Sequence, residues 1–207
     1  MTKTGAVIFD VDGVLLDSFD SNFMFCRDFL KSEGFRLTKK EYAQLFYRSL
    51  WDVISITTGI ADETEIRRLW NSAKKFDRDG KRPILAKDAV KTLKLLSEHY
   101  RLAIVTSRVK VYLYEPPMDS VKTYFRTAVA YEDTTRHKPH PEPLLLAANR
   151  LKIKPSGTVY IGDAASDMEA AKAAGMKFIL YSKKSFKGTD AHVKSFKDIP
   201  KAIEGLN

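Results

Sequence analysis

The chain has 207 residues, 44% of them hydrophobic and 29% charged, which suits one core domain carrying an inserted lobe and excludes a disordered chain. Its 35 basic residues outnumber 26 acidic ones for a net charge of +9, which favours anionic partners. Lys and Arg are scattered from Lys3 to Lys201 without a basic block or an aromatic-interleaved RNA-binding signature, so nucleic acid is not an expected partner.

Gly5 to Asp10 is a short apolar run without alternation, as expected of a parallel strand buried on both faces. From about Leu16 to Pro83 no strand is expected; apolar positions recur at helical spacing at Phe19, Phe23, Cys26 and Leu30, then at Ile66, Leu69, Trp70, Ala73 and Phe76. This stretch reads as an inserted helical lobe, edged by the turn formers Asp12-Gly13 and Asp79-Gly80-Lys81-Arg82-Pro83, which could act as hinges. A place on a helix face in the core is expected for Cys26, which as the one cysteine cannot form an intramolecular disulfide.

Beyond the lobe, a helical pattern at Ala86, Ala89, Val90, Leu93 and Leu96 leads to strands at Leu102 to Thr106 and Thr127 to Ala130. A helix carrying Leu144, Leu145, Ala148 and Leu151, a strand at Thr158 to Ile161, a helix with Ala170, Ala171 and Ala174, and a strand at Lys177 to Tyr181 follow. A short strand at Ala191 to Phe196 and a helix from about Asp198 close the chain. This alternation predicts an α/β domain, a parallel sheet covered on both sides, built from residues 1–15 and 84–207, with residues 16–83 as the helical lobe. No run approaches the roughly 18 apolar residues of a membrane span, and Met1-Thr2-Lys3-Thr4 leads into a strand rather than a signal peptide, so no membrane contact and a cytoplasmic location are expected.

The first strand delivers Asp10 and Asp12 at the carboxyl edge of the sheet, where such folds place ligands. Two residues apart in extended chain they face one centre, so one could attack while the other moves a proton; alone, they read equally well as a solvated Asp-Gly turn. After the next strand, Thr106 and Ser107 offer a hydroxyl and backbone N–H groups to phosphate oxygens, or simply cap a helix. Lys138 stands before the proline-stiffened Pro139-His140-Pro141-Glu142-Pro143 segment as a positioned cation. Asp163 and Asp167 leave a further strand and start a helix, so both carboxylates can converge on one hard cation, unless Asp167 only caps that helix.

Together, Asp10-x-Asp12-Gly13, Thr106, Lys138-Pro139-x-Pro141 and Gly162-Asp163-x-x-x-Asp167 make the chain resemble, over nearly its whole length, the haloacid dehalogenase-like hydrolase superfamily. The closest likeness is to its phosphoglycolate phosphatase and beta-phosphoglucomutase branch. The resemblance implies a Rossmann-like core with an inserted all-helical cap, and an enzyme acting on a small phosphorylated metabolite, nominally phosphoglycolate. It implies Asp10 as nucleophile and Asp12, protonated in the first step, as acid and then base. Mg2+ is implied at the Asp10 carboxylate, the Asp12 backbone carbonyl and Asp163, with Asp167 either a further ligand or a support behind them, and with Thr106, Ser107 and Lys138 as the phosphate cradle. Arg48 lies where related caps turn toward substrate, although a surface Arg is the plainer reading.

The same residues would serve a mutase returning the phosphoryl group to a sugar, or a pyrophosphatase. A phosphonatase would need a cap lysine, for which Lys31, Lys39 and Lys40 are candidates, and a dehalogenase is disfavoured by Asp12. Val109 to Ser120, with Pro116-Pro117, is a poor match to the helix that follows the second motif in the family.

Overall fold

The computed structural model describes residues 3–77 and 82–206. Six strands form one parallel sheet: β1 (Ala6–Phe9), β4 (Arg101–Val105), β5 (Phe125–Val129), β6 (Thr158–Gly162), β7 (Lys177–Tyr181) and β8 (Ala191–Val193). Their spatial order is β5-β4-β1-β6-β7-β8. β1 is central, paired in register with β4 on one side and β6 on the other. The chain winds outward from β1 to β5, then returns to β6 and winds the other way, so the strand order reverses beside β1, where a crevice opens at the carboxyl ends.

Side-chain alternation along β1 divides the core between the two faces. Val7 and Phe9 pack with Leu93 and Leu96 of α5 (Ala89–His99) and with Ile199 and Ile203 of α8 (Ile199–Glu204). Ala6 and Ile8 pack with Leu144, Ala147 and Leu151 of α6 (Glu142–Leu151) and with Ala170 and Ala171 of α7 (Ala165–Ala173). All four β1 residues are fully buried, which is why the strand reads as an unbroken apolar run.

Among the described residues, four helices lie between β1 and α5: α1 (Phe19–Ser32), α2 (Lys39–Leu45), α3 (Leu50–Thr58) and α4 (Glu63–Ala73). Thr38 with Glu41 and Ser49 with Asp52 form reciprocal capping boxes that start α2 and α3, and Asp62 caps α4. They share an apolar core including Phe29, Leu30, Ile54, Ile66 and Leu69, joined by Val109 and Tyr112 from beyond β4. Cys26 is buried in this core, as its helical spacing suggests.

The expectation of no strand between 16 and 83 is corrected at one edge: β2 (Leu16–Asp17) pairs antiparallel with β3 (Ile84–Leu85), tying together the two chain crossings between lobe and sheet. Two residues are too few to show periodicity. Of the second turn-rich edge, residues 79–81 lie outside the described residues. The last strand stops at Val193 rather than Phe196, because only Ala191–Val193 have partners in β7; Phe196 instead stacks on Phe9 at 6.1 Å. Between β4 and β5 the chain makes 3-10 turns at Lys110–Tyr112 and Met118–Tyr124, burying Met118 and Val121, so the segment expected to match poorly to a helix is not an α-helix. Among the described residues no helix is long and apolar enough to cross a membrane.

Candidate active site

Three strands deliver functional groups into the crevice. Asp10 follows β1, and its backbone N–H still donates to the Ile161 carbonyl at 2.9 Å, so the carboxylate is fixed to the sheet edge. Its Oδ1 accepts the Val11 N–H at 2.8 Å and its Oδ2 accepts Lys138 Nζ at 2.9 Å. Lys138 also donates to Asp167 Oδ1 at 2.7 Å and to Tyr160 Oη at 3.1 Å, which matches the three donors of its ammonium group with three acceptors. The Tyr160 hydroxyl donates to Asp167 Oδ1 at 3.0 Å, and Asp167 Oδ2 accepts the N–H groups of Asp163 and Ala164, each at 3.1 Å. Asp167 therefore both caps α7 and anchors Lys138.

Asp163 differs from Asp167. Its Oδ1 is buried without a hydrogen-bond partner among the described residues. Glycines let it come close: Gly13, at φ 78°, has no room for a Cβ because the Asp163 carboxylate occupies that space. A Cβ on Gly162 would lie 2.5–2.6 Å from Asp167 atoms.

One oxygen from each of Asp10, Asp163 and Asp167 can be chosen so that all lie within 4.8 Å of one another. Burial, and then the neighbouring carboxylates Asp167 and Asp10, drive the Asp163 carboxyl well above its ordinary value. Burial likewise raises Asp10 to about 7 against the pull of Lys138, whereas Asp10 and Asp167 outweigh burial at Lys138 and hold it firmly protonated. Three crowded carboxylates and an orphaned oxygen beside one lysine are short of positive charge. Hard oxygen donors in this arrangement fit a divalent cation such as Mg2+.

Asp12 stands apart from that cluster. Its carboxylate lies across the Arg108 guanidinium, with Nε donating to Oδ2 at 2.7 Å and Nη2 to Oδ1 at 2.8 Å, and Asn22 donates to Oδ1 at 2.8 Å. Burial would raise this carboxyl, but Arg108 outweighs burial and lowers it to about 2. At rest the Asp12 carboxylate is thus ionised and engaged with Arg108; the protonation expected of it belongs to the first step of the reaction. The Asp12 and Arg108 charges cancel, so the balance at the carboxylate cluster is unchanged.

Thr106 is buried after β4, and its Oγ1 accepts the Arg108 N–H at 3.1 Å. Thr106, Ser107, Arg48, Arg108 and Lys138 line one cleft with Asp10, Asp12, Asp163 and Asp167. Arg48 stands at its exposed side. Lys31, Lys39 and Lys40 are not among the lining residues, and Lys39 pairs instead with Asp20 at 2.6 Å.

Sequence reasoning missed Arg108, Tyr160 and Asn22. Arg108 directly follows Thr106-Ser107, a signal present but unread; Tyr160 reads as one more apolar strand residue, and Asn22 as a polar position on an amphipathic helix.

Residues 7–181 match the family model of haloacid dehalogenase-like hydrolases. Phosphoglycolate phosphatase of Salmonella typhimurium is 40% identical over 76 residues, covering 36% of this chain and 30% of that protein; the match thus spans under a third of the curated relative. A haloacid dehalogenase-like hydrolase of Bacteroides fragilis superposes with a TM-score of 0.82 at 27% identity, covering 95% of this chain and 100% of that one. A Thermotoga maritima structure described as a beta-phosphoglucomutase gives a TM-score of 0.72 at 25% identity, covering 99% and 100%.

Proposed function

Since the chain belongs to the haloacid dehalogenase-like hydrolase family, we propose that it hydrolyses a small phosphate monoester with Mg2+, through an aspartyl phosphate on Asp10. The observation that carries this reading is the convergence of Asp10, Lys138, Asp163 and Asp167 on one cleft, with Asp163 Oδ1 left without a partner. Asp10, Asp163, Asp167 and the Asp12 backbone carbonyl would hold the ion, which supplies positive charge against that of the phosphoryl group. The lobe of α1–α4, taken as a cap over residues 16–83, shields the site from bulk water.

In the first half-reaction an Asp10 oxygen bonds to phosphorus, the ester P–O bond breaks, and its electron pair stays on the leaving oxygen, which takes a proton from Asp12. In the second, Asp12 accepts a proton from water, whose oxygen attacks phosphorus; the acyl phosphate bond breaks, releasing phosphate and restoring the Asp10 carboxylate. Lys138 holds the nucleophile in place, while Thr106 and Ser107 face the phosphoryl oxygens. Because Asp12 is ionised against Arg108 at rest, it must leave Arg108 and take up a proton, from solvent or from a substrate that enters as its monoanion, before it can protonate the leaving oxygen.

Following released phosphate from a panel of phosphorylated metabolites, phosphoglycolate first, with and without Mg2+, tests this reading. Phosphate release dependent on Mg2+ is expected; none from any ester would overturn it. The likeness to a beta-phosphoglucomutase structure favours one second reading, transfer back to a sugar. Isomerised glucose phosphate without released phosphate would replace hydrolysis by that reaction.

A further inference from the structure

The cleft continues from the carboxylates into the helical lobe. There its wall is Phe25 of α1, Tyr42 of α2, Phe46 just after α2, and Leu50 and Val53 of α3, together with Tyr112 from beyond β4. Phe46 and Leu50 are half-buried, and the other four lie in the lobe's own core. Tyr42 and Phe46 meet edge to face at 6.1 Å.

The cations lining this cleft are Lys138, Arg108 and Arg48. Lys138 has its three donors on Asp10, Asp167 and Tyr160. Arg108 spends Nε and Nη2 on Asp12, and its Nη1 reaches the Tyr112 carbonyl at 3.4 Å. Arg48 lies at the exposed rim. Inside the rim where Arg48 stands, a second anionic group on a substrate, seated beyond the phosphoryl position, would meet aromatic and branched side chains and two cations that at rest are committed to protein carboxylates. Burying a charge there without a partner is costly, whereas burying carbon is favourable.

We propose that the leaving group of the substrate is an uncharged alcohol with an apolar alkyl or aromatic body, packed on Tyr42, Phe46, Leu50 and Val53. This rests on the phosphatase reading above and sets the substrate apart from a phospho-acid such as phosphoglycolate.

Wild-type enzyme with Mg2+ is assayed on four primary esters of similar bonding at the ester oxygen: ethyl, butyl and benzyl phosphate, and phosphoglycolate. The expected kcat/KM for butyl and benzyl phosphate exceeds that for ethyl phosphate and phosphoglycolate by about tenfold or more, the discrimination an apolar pocket gives for added carbon. Leu50→Gln should shrink the benzyl-to-ethyl ratio several-fold. Inhibition of wild type by benzylphosphonate should be stronger than by phosphonoacetate, a comparison that needs no variant to fold. Equal rates on all four esters, or a lead for phosphoglycolate, would overturn the inference while leaving the phosphatase reading standing. Turnover of no phosphate monoester at all would instead remove the reading on which it rests.

Discussion

Arg108 and Asp12, 96 positions apart in the chain, form a two-pronged ion pair with N–O distances of 2.7 and 2.8 Å, the guanidinium side chain only 7% exposed. The pair ties the segment after β4 to the segment after β1 and restrains the residue proposed to move protons.

Removing one member should be costly because it strands the other. Arg108→Met is expected to lower unfolding free energy by about 3–5 kcal/mol, and Arg108→Met with Asp12→Asn by less than the sum of the two single changes. Urea denaturation measures both; strict additivity would show that the two side chains do not interact.

The pair also sets a pH dependence. The folded-state pKa of Asp12, about 2, lies below the ordinary carboxylate value of about 4. Its stabilisation is therefore full above about pH 4 and is lost as pH falls through about 2. The stability difference between wild type and Arg108→Met should shrink across that window, and a difference unchanged by acid would contradict the assignment.

Crowding of Asp10, Asp163 and Asp167 predicts stabilisation by Mg2+. At a concentration about a hundredfold above Kd, bound ion adds about 3 kcal/mol, read as a rise in Tm of about 2–4 °C per kcal/mol for a chain of this size. With a folded pKa of about 7, above its unfolded value, Asp10 opposes folding increasingly as pH rises from about 4 through 7. The Mg2+-induced shift should accordingly be larger at pH 8 than at pH 5. Asp163→Asn should abolish it; an unchanged shift in that variant would place the ion elsewhere.

Tyr160 supplies the third acceptor for Lys138 while donating to Asp167. Tyr160→Phe keeps the ring that packs in the core but leaves a buried N–H unpaired, so Tm should fall by several degrees and kcat by about tenfold. A loss of Tm with kcat unchanged would mark the hydroxyl as structural only.

Much of this arrangement was legible in the sequence because the sheet is buried on both faces. Lys177 to Tyr181 forms a strand with the expected ends, since burial on two sides leaves an unbroken apolar run. The edge strand β5 begins at Phe125 rather than Thr127, because its half-buried residues give a weaker pattern. The acids after β1 and β6 stood out since strand ends point to the crevice. Arg108 and Tyr160 did not, because their roles arise only once β1, β4 and β6 are laid side by side. The β2–β3 pair was hidden for a related reason: two residues held by partners 69 and 67 positions away carry no local periodicity.

The central claim is covalent attachment of the phosphoryl group to Asp10. Enzyme turning over an active ester with Mg2+, quenched in acid and reduced with borohydride, should yield homoserine at position 10 by peptide mass mapping, and Asp10→Asn should yield none. Turnover that leaves Asp10 unlabelled under these conditions, or persists in Asp10→Asn, would contradict the account.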